Sequence, residues 1–290
     1  MYTERIFDFA AKHAEGMYRI TVTENGASRS LEIAPSNQTN DCYSVSKLFT
    51  ATAVGFLYDE GKISLDERIV DIFREELPAG ADPRLSLVTV DMVLRHAWGI
   101  AKGFLDIDQE DVAAYETLYG TGSDFLKIAL SARLPLIPGT TAVYSDAAYY
   151  LLSRIVTQKA SVELYDYLRE RLFNPLRFAE AAWSKCPLGY SLGATGLFIR
   201  TGDMAKLGQL YLDHGLFQGA RILSPQWCDL ATERGYSLDR CNPGCYSKGG
   251  LYGQLLYIDF PHRLAVAWTG YDVTGYTKRM TALLDEIAQQ

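Results

Sequence analysis

Ser44-Val45-Ser46-Lys47-Leu48-Phe49-Thr50-Ala51-Thr52-Ala53-Val54-Gly55-Phe56-Leu57-Tyr58-Asp59-Glu60 reads as one helix stopped by Gly61, because glycine after a periodic run is a common helix stop. Its middle is apolar on nearly every side, which predicts a buried helix. Asn40 and Asp41 precede it as candidate start residues, since short polar side chains accept hydrogen bonds from the free N–H groups of a first turn. The chain's single S-x-x-K, Ser44 to Lys47, opens this helix. Unpaired backbone N–H groups and the positive end of the helix dipole there favour developing negative charge. Lys47 follows one turn later on the same face. A serine hydroxyl attacks only when a neighbouring base takes its proton. Lysine becomes such a base when burial and nearby positive charge lower its pKa from ~10.4. The same string suits a capping serine beside a solvated lysine, so other stretches have to decide between the two.

Working outward, residues 4–13 have the spacing of an amphipathic helix, and 17–23 and 28–34 read as strands around Asn25-Gly26, a strong hairpin signal. From about 65 to 173 the legible segments are helical: 89–96, 122–132, 146–159 and 162–173. Helices follow at 201–212, 225–232 and 272–288, with strands at 252–259 and 263–269 around Phe260-Pro261-His262. Strands at both ends with helices between predict an α+β fold, in which an antiparallel sheet built from both chain ends is flanked by helices and carries an inserted all-helical region. The expected domains are a discontinuous sheet domain, 1–64 and 180–290, and a helical domain, 65–179, with the active site between them.

Composition narrows the chemistry. Across 290 residues, 28 Lys and Arg face 35 Asp and Glu, a net charge of −7, so no global positive field gathers nucleic acid. No run approaches the ~20 apolar residues of a membrane span. Five cysteines and an N-terminus with acids interleaved among apolar residues predict a cytoplasmic protein with reduced thiols, or an exported one if a leader has been removed. Gly61-Lys62-Ile63 misses the P-loop frame, and no G-x-G-x-x-G occurs, so no nucleotide cofactor is expected. The four histidines are scattered, and Cys241-x-x-x-Cys245 has no second ligand pair at finger spacing, so no metal is expected either. Cys42 reads as a small buried residue. His96 and Trp98 read as structural, while Tyr115, Tyr119, Tyr149 and Tyr150 are candidates for lining a cleft.

Two further stretches join the S-x-x-K. Pro138 to Asp146 leads into a helix with Tyr144 at its start, and Lys248-Gly249-Gly250-Leu251-Tyr252-Gly253 opens a strand with three glycines in six residues. The order S-x-x-K, Y-x-D, K-G-G resembles the serine β-lactamase and penicillin-binding-protein superfamily, especially its class C and esterase-like branch. Val93 to Ile100 is similar to that family's L-L-x-H-T-S-G-L. Leu172-Phe173-Asn174-Pro175-Leu176 is similar to its I-F-x-P-L, and Thr195 to Leu207 to its G-G-L-x-S-T-x-x-D-M-A-K-F.

The resemblance implies that Ser44 is the acylated nucleophile, with Lys47 and Tyr144 moving its proton to the leaving group. Lys248 would add positive charge that favours tyrosinate. The backbone N–H groups of Ser44 and Leu251 would form the oxyanion hole, and Asp146, Gly249, Gly250 and Tyr252 would contact substrate. Two positions depart from the pattern. Asp146 stands where the family has Asn, so a carboxylate able to pair with Lys47 replaces an amide. Gly249 replaces Thr or Ser and removes a hydroxyl expected to bind the carboxylate of a penicillin or D-alanyl peptide. The implied activity is a serine hydrolase acting on a small ester or amide, without cofactor. The alternatives are a true β-lactamase or D-alanyl peptidase, and a penicillin- or ligand-binding pseudoenzyme that acylates once or not at all.

Overall fold

In the computed structural model, which describes residues 1–105, 113, 116–117, 120 and 122–290, Asn25 and Gly26 both have positive φ, 51° and 82°. That is the two-residue turn whose twist matches its flanking strands. It follows helix α1 (Tyr2–His13) and joins β1 (Met17–Glu24) to β2 (Ala27–Glu32). Next come β3 (Asn40–Asp41), a 3-10 turn (Tyr43–Val45) and α2 (Ser46–Asp59). The middle of the chain forms α3 (Val90–Leu94), α4 (Phe125–Leu130) and α5 (Asp146–Ala160), with shorter helical turns between. Then follow β4 (Ala181–Trp183), β5 (Leu197–Ile199), α6 (Thr201–Leu212), the ribbon β6 (Leu216–Phe217) and β7 (Ala220–Arg221), and α7 (Pro225–Arg234). The last elements are β8 (Asp239–Asn242), β9 (Cys245–Gly250), β10 (Gln254–Asp259), β11 (Leu264–Gly270) and α8 (Tyr276–Ala288).

Two compact units result, one of 1–45, 171–182 and 197–290, the other of 46–170 and 183–196. The first contains a six-stranded antiparallel sheet ordered β2-β1-β11-β10-β9-β8. Every residue of β10 and β11 is buried, because both faces of these strands are covered. On one face α1 and α8 bring Ile6, Phe7, Ala10, Met280 and Leu284 onto Ile20, Val22, Leu255, Val266 and Trp268. On the other face α6 comes so close that a Cβ at Gly208 would stand 3.0 Å from both Ala265 Cβ and Leu256 Cδ1. The α+β expectation, with a sheet drawn from both chain ends, therefore holds.

The units divide the chain at points other than 64/65 and 179/180. α2 belongs with the helical residues because it packs along α5. Residues 183–196 join it, as Thr50 Oγ1 donates to Gly193 O (2.7 Å) and Ser153 Oγ donates to Ser191 O (2.7 Å). Asn40 and Asp41 do not cap a helix; they form β3, paired with Ile199 and Phe198 of β5. The C-terminal helix starts at Tyr276, not 272, because Gly275 (φ 76°) breaks the backbone and Asp272 accepts from the N–H groups of Tyr276 and Thr277. Among the described residues no helix is long and apolar enough to cross a membrane. Tyr115 and Tyr119 lie outside the described residues.

The close approach at Gly208 gives a direct stability prediction. Gly208→Leu should improve helix propensity yet destabilise by about 1–3 kcal/mol through overpacking, read as a lower midpoint in urea denaturation. An unchanged or raised midpoint would mean that the sheet face has room.

Candidate active site

The serine lies in the sheet unit. Ser44 is in the 3-10 turn that precedes α2. That turn is held by Cys42 N–H donating to Leu197 O (3.0 Å), Val45 N–H donating to Cys42 O (3.1 Å) and Asp41 Oδ1 accepting from Tyr43 N–H (2.7 Å). Tyr43 has φ 47°, a left-handed conformation that costs energy for any residue but glycine and is often found at functional sites. Cys42 is fully buried, as its reading as a small core residue expected.

The same unit holds Lys248, Gly249 and Gly250, which close strand β9 instead of opening one; the next strand starts at Gln254 after a turn at Leu251–Gly253. A Cβ on Gly250 would lie 2.5 Å from Cys42 O and 3.2 Å from Tyr43 Cβ. Only glycine lets this strand end meet the turn that carries Ser44. Gly249 is different, because its nearest neighbour to an added Cβ is Gln254 O at 4.0 Å. Its missing hydroxyl is therefore not a steric necessity. Lys248 is buried, with Nζ 3.9 Å from Asp239 Oδ2. Leu251 is exposed at its side chain, while Tyr252 (φ 57°) stacks on Tyr271 at 4.6 Å and meets Tyr43 edge-on at 5.5 Å.

The helical unit holds Lys47, Tyr144 and Asp146. Lys47 is fully buried, and its Nζ donates to Asp146 Oδ1 (2.7 Å) and Ala194 O (2.9 Å). The ammonium also sits 4.7 Å from the centre of the Tyr144 ring, within cation–π range. Burial presses the Lys47 pKa down, but the Asp146 carboxylate and the Tyr144 hydroxyl raise it further, so the net shift is upward. The expectation that burial lowers Lys47 is overturned, since the carboxylate beside it stabilises the cation.

Helix α5 explains how Tyr144 and Asp146 are placed. Ser145 caps it, with Oγ accepting from Ala147 N–H (3.2 Å) and donating to Phe104 O (3.1 Å). Tyr144 therefore precedes the helix and does not start it. His96 Nδ1 accepts from Ser145 N–H (3.3 Å), and its ring lies 4.6 Å from that of Tyr144. The residue read as structural thus acts structurally, supporting the tyrosine. Trp98 is likewise fully buried. Tyr149 and Tyr150 are core residues and line no cleft: their hydroxyls donate to Leu94 O (3.0 Å) and Cys186 Sγ (3.2 Å).

The sequence also holds a G-x-S-x-G frame, Gly189 to Gly193. Ser191 is fully buried in an isolated bridge with Lys185, not on the strand-to-helix elbow that this motif needs to expose its hydroxyl. Among the described residues no group of His, Cys, Asp and Glu could hold a metal ion.

A family model described as Beta-lactamase matches residues 37–269. Among curated proteins, Penicillin-binding protein 4 of Amycolatopsis lactamdurans is 29% identical over 212 residues, covering 62% of this chain and 53% of that protein. The chain thus spans about half the length of this relative. Among solved structures, a candidate 6-aminohexanoate-dimer hydrolase from Bacillus anthracis superposes with a TM-score of 0.81 at 17% identity, covering 98% of this chain and 81% of the other. EstCE1, a hydrolase with promiscuous acyltransferase activity, gives a TM-score of 0.70 at 14% identity over 99% and 98% of the two chains. At these identities the two structures speak for the fold alone.

Removing the partner of a buried cation costs about 3–5 kcal/mol, so Asp146→Ala should lower the denaturation midpoint far more than a surface change. Lys47 is raised in the folded state, so its contribution to stability is complete below the free-lysine value of ~10.4 and is lost as pH rises through the higher folded value. In Asp146→Ala burial acts without the carboxylate and lowers Lys47, so the deficit should be largest below that lowered value and shrink as pH rises from it towards ~10.4. A deficit that vanishes near neutrality would contradict the assignment.

Proposed function

The chain belongs to the β-lactamase family, a family of serine hydrolases, and from that premise we propose that it hydrolyses a small ester or amide through an acyl-enzyme on Ser44. The observation that carries this reading is the buried Lys47 ammonium, held by Asp146 at 2.7 Å and lying 4.7 Å from the Tyr144 ring. A lysine kept as a cation does not take the serine proton. Tyr144, whose ring lies beside that ammonium, is left as the general base.

Ser44 Oγ attacks the carbonyl carbon as its proton passes to Tyr144. The tetrahedral oxyanion is met by the backbone N–H groups of Ser44 and Leu251. Collapse expels the alcohol or amine, which takes the proton from Tyr144, and leaves an acyl group on Ser44. Water then attacks the acyl carbon, and Ser44 recovers its proton as the acid departs. Lys248 supplies further positive charge beside the site.

Gly249 supports an ester or amide without a neighbouring carboxylate, because it offers no hydroxyl where a penicillin or D-alanyl peptide would need one. The names of EstCE1 and the Bacillus anthracis hydrolase are consistent with that preference. Penicillin turnover or D-alanyl peptidase action is the second reading, favoured by the name of the Amycolatopsis relative.

A fluorophosphonate should add one adduct to the intact mass of the wild type and none to Ser44→Ala, and Tyr144→Phe should lower ester hydrolysis about 10²–10⁴-fold. An adduct that persists in Ser44→Ala would remove the nucleophile assignment, and near wild-type turnover in Tyr144→Phe would remove the base. The space around Gly249 makes Gly249→Thr a test of specificity. It should fold normally and acylate faster with penicillin, read by mass, whereas unaltered penicillin reactivity would discard the role given to the missing hydroxyl.

A further inference from the structure

Next to the serine turn, and wholly within the sheet unit, lies a cavity of about 370 Å³. Its walls include Tyr18, Asp41, Tyr43, Phe198, Gln254 and Tyr271. Asp41 is its one carboxylate, and among the described residues no lysine or arginine lines it. Arg19, beside Tyr18 in the chain, is engaged by Glu32 and by Gln38 Oε1 (3.1 Å).

The walls are fixed in place. Asp41 Oδ1 accepts from Tyr43 N–H at 2.7 Å. Tyr271 stacks on Tyr252, which meets Tyr43 edge-on. Gln254 is committed to the backbone, with Nε2 donating to Gly270 O (2.7 Å) and Oε1 accepting from Gly270 N–H (2.9 Å). It therefore stiffens the wall and does not read a ligand. What a guest meets is four aromatic rings, a half-buried carboxylate and the polar residues Asn37, Thr39 and Asn40.

Aromatic faces attract cations, most strongly where water is displaced. A carboxylate among them adds Coulombic attraction in a medium less polar than water. The same carboxylate repels an anionic guest, and a neutral guest can at most hydrogen-bond to it, without the Coulombic attraction. We propose that this cavity binds an organic ammonium group, either a quaternary ammonium or a protonated amine, carried by the substrate or its leaving group. That last clause rests on the hydrolase reading; the binding itself does not. Tyr43 lines the cavity and directly precedes Ser44, so a bound ammonium lies one residue from the acylated serine.

The test reads binding without turnover. The Ser44→Ala protein is titrated by calorimetry with choline, with its uncharged isostere 3,3-dimethyl-1-butanol and with glucose. Choline should bind saturably at one site, the isostere about tenfold more weakly or worse, and Asp41→Asn should weaken choline by a similar factor. Asn at 41 still offers an oxygen to Tyr43 N–H. Should that variant fail to fold, the isostere comparison on intact Asp41 decides alone. Equal affinity for choline and the isostere, no saturable choline binding, or binding of glucose only would each overturn the proposal. On the wild type, kcat/KM for acetylthiocholine should exceed that for 3,3-dimethylbutyl thioacetate by a comparable factor. A fluorophosphonate adduct without choline binding would sink only this inference, and choline binding without an adduct would sink only the hydrolase reading.

Discussion

A lysine ammonium with no exposure to water organises the helical unit. Lys47 comes from the first turn of α2, Asp146 from the first turn of α5, and Ala194 O from the segment between β4 and β5. Moving such a charge out of water costs several kcal/mol, recovered only with good geometry and additional hydrogen bonds. Both conditions are met, and three separate stretches of chain are fixed around one nitrogen. The Tyr144 ring beside that nitrogen inherits its position from the same pair and from His96 behind it. The protonation state of Lys47 follows from the same contact, because the carboxylate at 146 favours the charged lysine.

In the sheet unit the corresponding constraint is steric. Gly250 admits the carbonyl of Cys42 and the Cβ of Tyr43, and no side chain could stand between them. The adjacent Gly249 has open space, so packing does not require glycine there. Two neighbouring glycines thus differ in steric demand, one required by close approach and the other not.

Much of this is legible in the amino-acid sequence. The bounds of α6 and the Asn25-Gly26 hairpin follow from the sequence, because in both cases local periodicity and turn chemistry agree with the tertiary fold. Pairing of Asp146 with Lys47 was foreseeable from residue chemistry alone. Its consequence was not, since the balance between burial and a carboxylate depends on a distance that no string contains. β8 and β9 escaped detection because Asp239-Arg240-Cys241-Asn242 is polar and exposed along most of its length and β9 ends in glycines. β3 is only two residues long, and its partner lies far along the chain in β5. Ser191, by contrast, shows that a motif frame means little until its burial is known.

The contact at Gly250 also orders events in time. Ser44 is made early on the ribosome, yet the strand end that steadies its turn is not complete until residues 245–259 have paired. The sheet beneath follows the same rule, because β1 finds its central neighbour only in β11. Contacts this distant in sequence form late and slowly. A nascent or truncated chain therefore carries Ser44 in a turn that its strand neighbour does not yet steady, and the final geometry of that turn is a property of the completed sheet alone.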